Sequence, residues 1–66
     1  MRYVLVAEGS KGKAFITRVS AKGDYGLGVF ARAKSWKTDR GVHNALKRIA
    51  EVSQGAANCL YISVHP

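Results

Sequence analysis

Few residues in this chain have the type and spacing that chemistry needs. Asp39 and His43 stand four apart, so on a helix they share a face. A carboxylate that orients an imidazole is what a general base requires. No nucleophile or second acid is placed beside them by spacing, and a surface ion pair accounts for the pattern without catalysis. Cys59 and His65 fall on one face of a strand but six residues apart, which is about 20 Å along it and too far for a dyad. One cysteine excludes an internal disulfide, and one cysteine with two histidines is too few for a closed zinc site. The expectation is a chain with no catalytic residues, no metal and no cofactor.

The remaining candidates are basic. Gly9-Ser-Lys-Gly-Lys13 has the look of a phosphate loop, but the spacing is short, Ala14 follows the lysine, and a strand comes next instead of a helix. It reads as a hairpin turn with a basic tip. Lys34-Ser-Trp-Lys-Thr-Asp-Arg-Gly41 leads into a helix, where free amides, a glycine and three bases could receive a phosphate. Asp39 opposes that use, because its charge takes the anion's place. Trp36 reads as a core lid at the same junction. Eleven Lys and Arg against four Asp and Glu give a formal charge of +7 in 66 residues, a field that attracts polyanions. The residues expected to neutralise phosphate are Arg18, Arg32, Lys34, Lys37, Arg40, Lys47 and Arg48.

The elements that must position these residues follow from periodicity. Val42, Ala45, Leu46, Ile49, Ala50 and Ser53 form one stripe of a helix launched by Thr38 or Asp39 and ended by Gly55. His43, Asn44, Lys47, Arg48, Glu51 and Gln54 lie opposite. Lys47 and Glu51 are an i,i+4 pair in the weaker orientation. Arg2–Glu8 is apolar on both faces, which predicts an interior strand. A second strand covers Lys13–Ser20, and Ala21-Lys-Gly-Asp24 closes a hairpin with Gly23 at positive φ. A third strand covers about Tyr25–Lys34, where Gly26 and Gly28 signal a bulge or close approach. Cys59–His65 alternates as a last strand.

The expected architecture is therefore a single α+β domain over 1–66. It has two layers, β-β-β-α-β, with one helix on one face of a four-stranded mixed, mostly antiparallel sheet. The favoured strand order is 3-2-1-4, and a single crossover through the helix predicts a last strand parallel to the first. With Leu60, Ile62 and Val64, then Val29, Ala31 and Ala33, then Phe15, Thr17 and Val19 turned inward, the uncovered face carries Cys59, Tyr61, Ser63 and His65, then Phe30, Arg32 and Lys34, then Ile16, Arg18 and Ser20.

Aromatic residues among cations suit stacking and neutralisation of single-stranded nucleic acid. The same mixture suits a dimer or partner interface. Two functions follow. One is a small non-enzymatic DNA- or RNA-binding protein, with Phe30 and Tyr61 stacking on bases. The other is an interaction module of the kind phages and mobile elements encode, covering an acidic surface on a host protein, with a homodimer as one form. The longest apolar run, Tyr3–Ala7, is far short of a membrane span. A single thiol and the absence of a signal-peptide pattern point to the cytoplasm.

The strand-and-helix layout over about Lys13 to Val52, with Gly-x-Gly ahead of Lys34, Lys37 and Ala45, resembles the second half of double-stranded-RNA-binding domains. There, lysines at the start of the last helix hold phosphates. It also resembles the sheet and helix of phage-integrase arm-binding domains, which lay the sheet in the major groove. The chain departs from the first in lacking an N-terminal helix, and from both in carrying an extra strand at each end.

Overall fold

Apolar side chains on both faces of one strand require cover on both sides, and this requirement organises the molecule. A computed structural model describes residues 1–66. Its elements are β1 (Arg2–Gly9), β2 (Gly12–Val19), β3 (Tyr25–Gly28), a 3-10 turn (Phe30–Arg32), α1 (Asp39–Val52), α2 (Gln54–Ala57) and β4 (Leu60–His65). The sheet order is β3-β2-β1-β4, so β1 is interior. The fold is the expected two-layer β-β-β-α-β sheet with the helix packed on one face.

On the helix side, Leu5, Ile16, Val42, Ala45 and Ile49 form the core, and Tyr3, Val19, Trp36, Leu46, Leu60 and Ile62 pack around it. Thr38 caps α1 by accepting the Gly41 N–H at 3.1 Å. Gly23 turns the β2–β3 hairpin at φ +89°, and a Cβ there would meet Val52 Cγ2 at 2.6 Å and the Arg48 carbonyl at 2.8 Å. The glycine thus serves both the turn and the seating of the helix end.

Several expectations are corrected. β4 runs antiparallel to β1, because the chain crosses the sheet twice between β3 and β4. It descends from Gly28, which lies opposite Phe15, to Trp36, whose N–H and C=O exchange bonds with Tyr3 at 2.8 and 2.9 Å. α1 and α2 then return it to the Glu8 end, where the Glu8 N–H donates to the Cys59 carbonyl. β3 stops at Gly28 instead of continuing to Lys34, and Val29 is 65% exposed, so Val29, Ala31 and Ala33 are not the core set. Phe30 leaves the strand to cover the far side of the sheet.

In β2 the phase is reversed: Ile16 is fully buried against the helix, and Phe15 faces away. An irregularity between Ile16 and Arg18 inserts one residue opposite Gly26 and returns Val19 to the helix side. Val64 is half exposed, so Leu60 and Ile62 alone of its set pack on the core. Gly55 does not end the helix. Ser53 does, donating its N–H to Ile49 while its Oγ accepts the Ala56 N–H to start α2.

Candidate nucleic-acid interface

The side of the sheet away from α1 is built by strand parity. Val6 lies opposite Phe15 on one flank and Tyr61 on the other, Val4 opposite Ser63, and Arg2 opposite His65. These residues therefore share one face. The chain leaving β3 crosses that face and sets the Phe30 ring 5.2 Å from Phe15, at 70°, and 5.1 Å from His65. The first contact is the edge-to-face arrangement that aromatic quadrupoles favour. This cover leaves Val4 and Val6 buried while Phe30 and Tyr61 remain 45% and 38% exposed. Ser63 Oγ and His65 Nε2 share a hydrogen bond of 3.0 Å, which restrains the imidazole beside Phe30. Arg2 lines a hollow of about 200 Å³ with Val4, Phe30 and His65.

The bulge brings a second base to this face. A Cβ on Gly26 would lie 2.9 Å from Thr17 Oγ1 and 3.1 Å from Arg18 Nε. Only a glycine lets both side chains lie across β3 on the same side. Arg32 belongs to the 3-10 turn that crosses the same face.

The seven expected phosphate contacts do not converge. Arg18 and Arg32 belong to the open face. Lys34, Lys37 and Arg40 lie at the entry to α1, where Lys34 Nζ sits 5.5 Å from the Trp36 ring, a cation–π distance. Lys47 and Arg48 are exposed on α1, the element that covers the other side of the sheet. The junction is also less open to an anion than its composition implied. The Gly41 amide is spent on Thr38 Oγ1, and a Cβ on Gly41 would come within 3.3 Å of Trp36 Cδ1. That glycine serves internal packing. Trp36 itself packs against the core.

Arg2 and Phe15 share the open face although the sequence reading does not place them there, whereas His65 lies on it as its alternation with Tyr61 predicts. Parity with Val4 and Val6 carried the signal for Arg2. For Phe15 it was obscured by the inserted residue.

None of the Lys or Arg side chains contacts a carboxylate; the one carboxylate–base contact is Asp39 Oδ1 to His43 Nε2 at 3.3 Å, with both side chains exposed. Lys47 and Glu51 do not pair. No three His, Cys, Asp or Glu side chains converge on a point that could hold a metal ion. No helix is long and apolar enough to cross a membrane. On the helix side, beyond the reach of α1, a groove of about 520 Å³ has Ala7, Ala14, Leu27 and Leu60 among its lining residues, with Lys11 and Lys13 also at its wall.

Comparison of the chain with protein-family models, curated proteins and solved structures finds no match.

Proposed function

We propose that the protein is a non-enzymatic nucleic-acid-binding module that uses the open sheet face and takes single strands in preference to duplex. The observation that carries this reading is an open face where Phe30 and Tyr61 remain accessible beside Arg2, Arg18 and Arg32, none of which contacts a carboxylate. Unpaired cations release counterions from a phosphate backbone when they bind it. Exposed aromatic rings among them offer the stacking platform that sequence-tolerant single-strand binders use.

A fluorescence-polarisation titration with labelled single-stranded DNA and RNA tests it. If about four phosphates are neutralised, affinity falls roughly 50-fold between 50 and 200 mM salt. Absence of binding at low salt would end this reading.

One observation favours a second reading, the module that covers an acidic protein surface. The groove beside the β1–β2 hairpin joins an apolar floor to lysines, a combination that suits a protein partner. A pull-down with and without nuclease separates the two. Protein partners retained after digestion favour the second reading, and their loss favours the first.

A further inference from the structure

We propose that the outer edge of β4 is a self-association edge, where a second copy of the chain adds its own β4 antiparallel and joins the two sheets into one. The hydrogen-bond parity is fixed by two contacts. The Glu8 N–H donates to the Cys59 carbonyl, and Tyr3 turns both of its backbone groups to Trp36, away from β4. Alternation along an antiparallel ladder then gives Tyr61, Ser63 and His65 to β1 and leaves the N–H and C=O of Leu60, Ile62 and Val64 at the free edge. No backbone bond outside the ladders reaches these three residues.

Sheet edges are ordinarily blunted by brevity, lysine, proline or a bulge. The β3 edge is protected in this way: it has four residues, two of them glycine, beside a bulged neighbour. Leu60–His65 has no lysine, no proline and no register shift.

Charge selects the occupant. Val52–Pro66 contains no Lys, Arg, Asp or Glu, whereas the whole chain carries +7. Two copies repel over most of their surfaces and meet with the least of that cost along this segment. An acidic strand from another protein would find no cation on β4 to prefer. The strand is also self-complementary. A two-fold axis through Ile62 sets Ile62 against its own copy, Leu60 against Val64 and Tyr61 against Ser63. Every partner then shares parity, so the helix sides of both copies coincide. Val64, half exposed in one copy, gains Leu60 of the other as its cross-strand neighbour. An edge of six residues buries less than the roughly 800 Å² per partner of a standard interface, so the dimer is weak. The inference does not depend on what the open face binds. Its consequence is that two open faces become contiguous.

Sedimentation equilibrium at high salt, up to about 1 mM protein, reads the association directly, since weak dimers form in the micromolar to millimolar range. A mass approaching twice that of the monomer is expected. Val64→Lys places two like charges at the joint and is expected to weaken dimerisation at least about tenfold with an unchanged unfolding midpoint. Amide exchange on the unaltered protein locates the contact independently, with protection at Leu60, Ile62 and Val64 growing with concentration. A monomer throughout the range would overturn the proposal. So would a dimer whose concentration-dependent protection lies elsewhere.

Discussion

The two sides of the sheet rest on the same central strand but are closed by different means. On one side, Leu5 and Ile16 meet a helix of 14 residues whose buried positions are all aliphatic. On the other, Val4 and Val6 lie under a short crossing segment and the Phe30 ring. A helix supplies a continuous stripe and excludes water from everything beneath it. A single turn covers only its own footprint, so aromatic rings remain part-exposed around buried valines. The first side closes its apolar residues off from water, and the second leaves aromatic surface exposed to it.

The sharpest way to break this contrast is to truncate adjacent residues that face opposite ways. Ile16→Ala is expected to cost about 2–5 kcal/mol, since a fully buried side chain leaves a cavity among packed aliphatics. A chain of this size has a total stability of only about 3–10 kcal/mol, so the variant should be largely unfolded or lose most of its urea midpoint. Phe15→Ala removes more atoms from a half-buried site and should cost less, about 1–2 kcal/mol. The reverse ranking in chemical denaturation would mean that the faces are wrongly assigned.

The two hairpin turns give the next comparison. Gly23 and Gly12 both have positive φ, +89° and +125°. A methyl at Gly23 also collides with Val52 and the Arg48 carbonyl, whereas nothing lies within 4 Å at Gly12. Gly12→Ala should therefore cost only the backbone strain of about 1–3 kcal/mol, and Gly23→Ala should cost more, because the collision adds to a strain of the same order. Equal losses in thermal unfolding would show that the helix end does not rest on the turn. Thr38→Ala, which removes the cap of the same helix, should cost about 1 kcal/mol.

Where periodicity was unbroken, the sequence was sufficient. The doubly apolar Tyr3–Ala7 run gave an interior strand, Leu60 and Ile62 gave the correct face of β4, and the Val42–Ala45–Ile49 stripe gave the helix. It failed where one residue was inserted. Counting by twos from Val19 back to Phe15 crosses the bulge and inverts every residue before it, so Ile16 was placed outside and Phe15 inside. Gly26 and Gly28 signalled an irregularity, but composition did not say that the extra residue lay across from them in β2. The run Val29–Ala33 alternates like a strand. It turns instead because Phe30 finds Phe15 and His65 beneath it, which is a tertiary contact invisible to local pattern. The candidate site was legible as a list of types, aromatic and basic, and not as a place. Charges exposed on every side carry no periodic signal of which surface they share.

The smallest expected effect addresses that question of place. Arg18→Gln and Lys47→Gln each remove one cation from an exposed position without disturbing a carboxylate contact. Both should leave stability within about 0.5 kcal/mol of the original. Glutamine keeps the aliphatic stem that Arg18 lays across Gly26. If single-stranded nucleic acid lies on the open face, Arg18→Gln should reduce the slope of log affinity against log salt by about 0.7, and Lys47→Gln should leave it nearly unchanged. The slope counts phosphates neutralised at the contact, whereas a general loss of net charge lowers both variants alike. Equal slopes for the two variants would therefore reduce the open face to one part of a diffuse positive field. A loss confined to Lys47→Gln would move the binding surface to the outer face of α1.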